Sequence, residues 1–138
     1  MTGAVTVCVI LCVCAGMFPL YLWLLSPCCS RKEQMKPFED VLIAHRGLFD
    51  NQSDAPENSM AAFRKALEAG FGIELDVQRT SDGKLVVFHD MNLKRMTGID
   101  GRVTEHTYKE LLEYSLGQSQ EQIPLFSDVL RMVNGKVP

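Results

Sequence analysis

Two acidic residues interrupt an apolar segment near the middle of the sequence. In "GIELDVQRT", Glu74 and Asp76 alternate with Ile73, Leu75 and Val77. In a β-strand, alternate side chains leave opposite faces, so both carboxylates would lie on one face and the apolar side chains on the other. A pair of carboxylates offers oxygen ligands to a hard cation, Mg²⁺ or Ca²⁺, rather than to zinc or copper. The alternative is an amphipathic strand whose acidic face is in water.

Two histidines each follow a short apolar segment. Val41–Ala44 is followed by His45, and Leu85–Phe88 is followed by His89. The carboxyl ends of parallel strands meet at one rim of a barrel or open α/β sheet, where such folds hold their chemistry. We therefore expect both histidines and the acid pair to converge on one rim. The alternative is that each histidine is structural or exposed, as we expect for His106, which would lie in a loop or a first helical turn.

The elements that position these residues are predicted from local signals. A helix is predicted within residues 58–70, with Asn58 or Ser59 as its N-cap and Gly70 as its stop. The same signals predict strands over Val41–Ala44, Ile73–Val77 and Leu85–Phe88, a turn at "TSDGK", a capping box at Thr107 and Glu110, and a helix over Phe126–Val133. This βα order predicts an α/β fold with parallel, covered strands, in which the acid pair needs a cation.

Composition excludes several classes of protein. A net charge of −3 and 46% hydrophobic residues fit a globular domain and argue against a nucleic-acid-binding surface. The five cysteines all lie in or beside the first 30 residues, at Cys8, Cys12, Cys14, Cys28 and Cys29. The rest of the chain therefore has neither a disulfide framework nor a thiolate zinc site. The first three cysteines fit small apolar filler, whereas Cys28 and Cys29 are placed where S-acylation could occur.

The first 30 residues contain no charged side chain. As a helix, residues 4–25 would be about 33 Å long, close to the thickness of a bilayer's hydrocarbon core. Tyr21 and Trp23 suit the membrane interface, and three cations follow the segment: Arg31, Lys32 and Lys36. These features predict a single-pass transmembrane anchor. The alternative, a cleaved signal peptide, lacks a basic n-region and a small residue before the cleavage site.

Three regions follow from this division. We predict a transmembrane segment with juxtamembrane cysteines over residues 1–30, a linker over 31–40 and an α/β domain over 41–138. Because cations flanking a span stay on the cytoplasmic side, the domain is expected to face the cytoplasm.

The motifs of the third region resemble a known enzyme family. "AHRG", "APENSMAAFRKALEAGFGIELDVQRTSDGKLVVFHD" and "IPLFSDVL" resemble the N-terminal half of the glycerophosphodiester phosphodiesterase family over about residues 41–138. The resemblance implies a (β/α)8 TIM barrel that hydrolyses glycerophosphodiesters to glycerol 3-phosphate and an alcohol with a divalent metal. Eight βα units need about 250 residues, so the barrel is expected to be incomplete.

The resemblance also assigns six residues to a site: His45 and His89 as general base and acid, Arg46 as a phosphate ligand, Glu57 as a pocket-lining residue, and Glu74 and Asp76 as metal ligands. A divalent cation and an arginine would neutralise charge that grows on the phosphodiester in the transition state. An arginine suits this task because its planar donors grip two oxygens. For Glu57 the alternative is an acid that the helix dipole favours at a helix N-terminus.

Other functions remain open at this point. Within the enzyme class the alternative is a related barrel phosphodiesterase or phospholipase with paired histidines. Outside it, the chain could be a non-catalytic metal- or phosphate-binding remnant, or an anchored interaction module whose acids are solvated. The expected partners are a small glycerophosphodiester and, through residues 4–25, a membrane. We also expect the chain to be truncated and inactive as it stands, because the family supplies a further acidic ligand and a lysine from the next strand, after Pro138.

Overall fold

The computed structural model of the chain describes residues 2–26 and 32–138. The chain divides into two units, Met1–Lys36 and Pro37–Pro138, so the second unit begins inside the predicted linker. Of the residues predicted beside the membrane, Arg31, Cys28 and Cys29 lie outside the described residues.

The first unit is helical. Helix α1 spans Thr2–Leu25 and ends at Ser26, whose hydroxyl donates to the Leu22 carbonyl at 2.8 Å. A short helix, α2, covers Lys32–Met35. Within residues 2–26 and 32–138, no helix is long and apolar enough to cross a membrane, so the predicted transmembrane span over 4–25 is not supported.

The second unit alternates strands and helices. After a 3₁₀ turn at Lys36–Phe38, the elements are β1 (Ile43–His45), α3 (Met60–Glu68), β2 (Gly72–Glu74), β3 (Val77–Arg79), β4 (Leu85–Val87), α4 (Lys94–Thr97), a 3₁₀ turn (Val103–Glu105), α5 (Tyr108–Leu111) and α6 (Phe126–Val133). The predicted helix starts are confirmed. The Ser59 hydroxyl accepts from the Ala62 amide to cap α3, and Thr107 forms the expected capping box at α5. Asn134, in the left-handed conformation, ends α6.

Strands β1 and β2 are parallel, as the βα order predicts. Their register pairs Ile43 with Gly72 and His45 with Glu74. The Ile73 amide donates to the Pro138 carbonyl at 2.9 Å, so the last described residue lies beside β2. Two successive strands therefore end at the same rim, with His45 and Glu74 as their terminal residues.

The predicted strand over Ile73–Val77 is divided in the structure. β2 ends at Glu74, β3 begins at Val77, and Asp76 lies between them. β3 pairs with β4 in antiparallel register, Val77 opposite Val87, so the expectation of parallel neighbours is wrong for this pair. The physical reason is the short connection over residues 80–84, since a parallel crossover needs a dozen or more residues.

Strand β4 anchors the hairpin between two apolar clusters. Val86 and Val87 are both fully buried on successive positions, which point to opposite faces. Val86 packs with Phe88, Leu93, Met96, Val103, Leu111, Leu116 and Ile123, and Val87 packs with Phe63 and Val129. The hairpin is thereby fixed against α3 and α6 on one side and against the α4–α5 region on the other.

Candidate active site

The first histidine and the first acid meet where β1 and β2 end. His45 Nε2 lies 3.8 Å from Glu74 Oε2, and both side chains are partly exposed. The next amide along the chain, that of Arg46, donates to the Glu74 carbonyl at 3.0 Å and lies 3.3 Å from Glu74 Oε2. The parallel pairing of two short strands thus brings His45 and Glu74 together, as predicted.

Arg46 turns into the protein directly after β1. Its backbone has a φ of 61°, a left-handed conformation that is uncommon for a residue other than glycine. Its side chain is largely buried, with one terminal nitrogen 3.0 Å from Glu57 Oε1 and Nε 3.7 Å from Asp76 Oδ2. The Nε atom is buried and has no hydrogen-bond partner within the described part of the chain. Such strained backbone positions cluster at functional sites.

The following glycine explains how this turn fits against α3. Gly47 has a φ of 85°, and a Cβ atom there would lie 3.0 Å from Ala62 and from Phe63. The turn after β1 therefore lies directly on the buried side of α3, which limits its freedom to move.

Glu57 is the most deeply buried acid of the cluster, with 5% of its surface exposed. It accepts hydrogen bonds from Arg46 at 3.0 Å, from Asn51 at 3.0 Å and from Arg95 at 2.6 Å. Burial alone would raise the pKa of Glu57, but the hydrogen bonds from Arg95, Asn51 and Arg46 outweigh burial and lower the pKa to about 2. The structure thus places an ionised Glu57 in the same cluster as Arg46.

Asp76 lies in the break between β2 and β3. Its Oδ2 accepts from the Asn58 side-chain amide at 3.3 Å and faces Arg46 Nε. The side chains of Glu74 and Asp76 are 45% and 30% exposed, so the expectation of a covered acid pair is wrong. The physical reason is that both residues end or follow a two-stranded edge rather than lying inside a wide sheet.

His89 reaches this region through the hairpin. The Phe88 amide donates to the Asp76 carbonyl at 2.9 Å, which brings the residue after it close to the acid-bearing segment. The Gln78 side-chain amide donates to three successive carbonyls, including that of His89 at 3.2 Å, and so fixes the local backbone. The antiparallel return of β4, and not a further parallel strand end, therefore places His89.

Asp90 and Arg95 belong to the same cluster and were missed by the sequence analysis. Asp90 Oδ1 lies 2.7 Å from His89 Nδ1, and Asp90 Oδ2 lies 2.5 Å from Arg95 Nε. The hydrogen bond from Arg95 is the main cause that lowers the pKa of Asp90 to about 2, while partial burial opposes it. Asp90 could have been suspected from its place beside His89. Arg95 gave no signal, because a basic residue in a short polar helix is usually solvated.

The third histidine lies apart from these contacts. His106 follows a 3₁₀ turn and lies in a loop, which is one of its two predicted locations. Its Nδ1 lies 2.9 Å from the Arg102 carbonyl, and its ring packs edge-on against Tyr114 at 5.7 Å between centroids.

The donor atoms fit one kind of metal. In the described ranges, no group of three or more His, Cys, Asp or Glu side chains could hold a metal ion. Glu74 and Asp76 nevertheless offer carboxylate oxygens where β2 ends, and Asn58, whose amide nitrogen donates to Asp76, has a buried Oδ1 without a hydrogen-bond partner in the described chain. Mg²⁺ is commonly bound by one or two carboxylates and keeps water and substrate phosphate oxygens as its other ligands. The pair therefore fits a cation that the substrate helps to hold.

Comparison with known proteins defines the class of this fold and site. The sequence model of the glycerophosphoryl diester phosphodiesterase family matches residues 45–138. The matched segment contains all six residues that were assigned to the site. The chain belongs to this family.

Individual relatives agree with that assignment. The chain is 44% identical over 99 residues to a glycerophosphodiester phosphodiesterase of Bacillus altitudinis, which covers 67% of this chain and 39% of the relative. It is 40% identical over 87 residues to human glycerophosphodiester phosphodiesterase 1, covering 62% of this chain and 25% of the relative. The chain therefore spans well under half the length of these relatives.

Solved structures show the same partial coverage. A glycerophosphodiester phosphodiesterase from Thermotoga maritima is 37% identical with a TM-score of 0.59, over 72% of this chain and 42% of the other. A phosphodiesterase from Oleispira antarctica, solved with the product sn-glycerol-3-phosphate, is 31% identical with a TM-score of 0.63, over 73% of this chain and 42% of the other. These likenesses are consistent with part of a barrel.

Proposed function

We propose that residues 41–138 supply one rim of the active site of a phosphodiesterase that hydrolyses glycerophosphodiesters to glycerol 3-phosphate and an alcohol. The observation on which the proposal rests is that Arg46 joins the acids of this rim, with Glu57 at 3.0 Å and Asp76 at 3.7 Å, while its Nε has no hydrogen-bond partner among described residues. The family match and the product complex of the Oleispira relative support the choice of substrate.

Arg46 is proposed to bind the phosphate. Its position is fixed by the left-handed turn and by the buried Glu57, so little side-chain entropy would be lost on binding an anion. A guanidinium group has five donors, of which one is bonded to Glu57, while Nε faces Asp76 beyond hydrogen-bond distance. An anion approaching from the open side would satisfy donors that the protein leaves available.

His89 is proposed to transfer a proton through Nε2. Asp90 is ionised at neutral pH, because its pKa is about 2, and a carboxylate can only accept a hydrogen bond. The imidazole nitrogen 2.7 Å away, Nδ1, is therefore the protonated one, and Nε2 is left for exchange with the substrate. His45 faces Glu74 and would act on the other proton. The order, His45 as base and His89 as acid, rests on the family resemblance.

Glu74, Asp76 and the Asn58 oxygen would hold the divalent metal, Mg²⁺ or Ca²⁺. When bound, the metal would supply positive charge to the phosphodiester oxygens. Glu74 also contacts the Arg46 amide and thereby orients the turn after β1. Loss of this acid would therefore disturb both the proposed metal site and the position of Arg46.

A non-catalytic metal- or phosphate-binding role is a second candidate. It needs only the contacts of Arg46 with Glu57 and Asp76, and no proton transfer by the histidines. Solvated acids, as in an interaction module, fit less well, because Glu74 and Asp76 contact His45, Arg46 and Asn58. The cytoplasmic location stays a prediction from the sequence.

Binding can be tested on the 138-residue chain itself. We expect sn-glycerol 3-phosphate to bind in the presence of Mg²⁺ in a calorimetric titration, and Arg46→Met to weaken this binding at least about tenfold, the loss expected for one charge-assisted hydrogen bond. Lys65→Met is the matched control, since it also removes one positive charge and Lys65 pairs with Asp54 on the surface. Equal affinity in Arg46→Met and the control would refute the phosphate role.

Catalysis needs a different test, because we expect the 138-residue chain to bind without turnover. Residues 41–138 would replace the aligned part of the Bacillus altitudinis relative. Metal-dependent release of glycerol 3-phosphate by the folded chimera would support the enzyme. A folded chimera that binds the product but never hydrolyses the diester would favour the non-catalytic alternative.

A further inference from the structure

Arg95 joins two carboxylates that lie far apart in sequence. Its terminal nitrogens lie 2.6 Å and 3.2 Å from the two oxygens of Glu57. Its Nε and one terminal nitrogen lie 2.5 Å and 2.9 Å from the two oxygens of Asp90. Two bidentate pairs on one guanidinium fix its plane as well as its position.

Each of these carboxylates holds a residue of the proposed mechanism. Glu57 Oε1, which Arg95 contacts, also accepts from Arg46 at 3.0 Å. Asp90 Oδ1, which Arg95 also contacts, lies 2.7 Å from His89 Nδ1. One carboxylate, Glu57, therefore links Arg95 to the proposed phosphate ligand, and another, Asp90, links it to the proposed proton-transferring histidine.

The backbone of Arg95 is firmly placed. It lies in α4, whose neighbouring residues Leu93 and Met96 are buried in the larger apolar cluster. Gly98 ends the helix in the left-handed conformation. The packing of α4 therefore fixes where the guanidinium lies, and the guanidinium in turn holds both carboxylates in place.

Charge gives a second reason for this arrangement. Without Arg95, Glu57 would retain Arg46 as its one cationic partner among the described residues, and Arg46 already faces Asp76. Within the described part of the chain, Asp90 would retain only the imidazole of His89 as an ionic partner. Two carboxylates with too little positive charge near them would repel an incoming phosphate.

We infer that Arg95 is a positioning residue that orients Arg46 through Glu57 and His89 through Asp90. The inference rests on the proposed function, because it gives Arg46 and His89 their roles. Arg95 itself does not need to touch the substrate.

The test uses NMR spectra of the ¹⁵N-labelled 138-residue chain at one neutral pH. Three signals are followed: the ring nitrogens of His89, the Nε–H group of Arg46, and the ring nitrogens of His106 as an internal reference. We expect Arg95→Met to shift the first two and to leave His106 in place, because His106 contacts the Arg102 carbonyl and Tyr114 instead. Lys94→Met is the matched control, since it removes one positive charge from the same helix and Lys94 pairs with exposed Asp100.

Arg95→Lys separates positioning from general stability. A lysine keeps the charge but cannot form two bidentate pairs at once, so smaller shifts of both signals are expected. Binding of sn-glycerol 3-phosphate with Mg²⁺ should weaken about tenfold in Arg95→Met and less in Arg95→Lys, if one oriented ionic hydrogen bond is lost.

Wild-type signals for His89 and Arg46 in a folded Arg95→Met would overturn the inference. If that variant fails to fold, wild-type signals in Arg95→Lys would overturn it instead. A wild-type chain that binds no glycerol 3-phosphate would count against the proposed function alone, because the spectra report the positions of Arg46 and His89 without ligand.

Discussion

Replacement of Glu57 by glutamine should destabilise the second unit strongly. The side chain is 5% exposed and accepts from two arginines and an asparagine. Its pKa falls from an ordinary 4.5 to about 2, a difference worth about 3 kcal/mol of stability at neutral pH. Glutamine has nearly the same shape but loses the charge and turns one acceptor into a donor that faces donors. We therefore expect Glu57→Gln to lower the free energy of unfolding by about 3 kcal/mol, in the range measured for broken buried ion pairs.

The same carboxyl should make stability depend on pH. Because the pKa of Glu57 is lower in the folded chain, its contribution is complete above about pH 4.5 and is lost as the pH falls toward about 2. Glu57→Gln should remove much of this acid sensitivity. The acid sensitivity that remains in Glu57→Gln is expected to come from Asp90, whose pKa is also lowered to about 2.

Urea unfolding followed by circular dichroism, at pH 7 and in steps down to pH 2.5, measures both effects. Asp54→Asn is the control, because Asp54 is 90% exposed and its pair with Lys65 should contribute less than about 1 kcal/mol. A loss in Glu57→Gln no larger than in Asp54→Asn, with an unchanged acid limb, would refute the view that the two arginines hold an ionised Glu57.

Three further outcomes are expected. In the folded chimera with the Bacillus relative, Asp76→Ala should abolish metal-dependent hydrolysis while circular dichroism stays unchanged; full activity would exclude Asp76 as a metal ligand. In the same chimera, His45→Ala and His89→Ala should each reduce turnover by about 10²-fold or more, as expected for a positioned acid or base, and a variant with near-normal turnover would identify a structural histidine. In the 138-residue chain, Ser59→Ala should cost about 1 kcal/mol by removing the cap of α3, and Ser59→Gly, which is tolerated at an N-cap and fits this buried position, should cost less in the same urea titration.

Local signals explain which parts of the fold could be predicted from sequence. The start of α3 is set by Ser59, and the start of α5 by the capping box of Thr107, both within a few residues of the helix. Strand pairing is harder to predict, because the residues around Val77 indicate a strand but do not indicate which strand pairs with it. The βα order predicts parallel neighbours, whereas the short turn after Arg79 permits only an antiparallel pair.

The same distinction applies to the site. His45 and Glu74 were predicted to meet because the parallel pairing that joins them follows from the order of elements. Arg95 could not be found in this way. Its contact with Glu57 spans 38 residues and depends on how α4 packs against the core, which no local pattern specifies.

The hairpin that carries His89 determines how the spacing between the proposed site residues could change. Residues advance by about 3.3 Å along a strand and alternate between faces, so an insertion or deletion in a hairpin turn acts as a shift of register. A one-residue change in the turn after β3 would exchange the buried sides of Val86 and Val87. A two-residue change would preserve the faces but move His89 by about 6.6 Å relative to Asp76. The length of this surface turn therefore sets the distance between His89, the proposed proton-transferring residue, and Asp76, a proposed metal ligand.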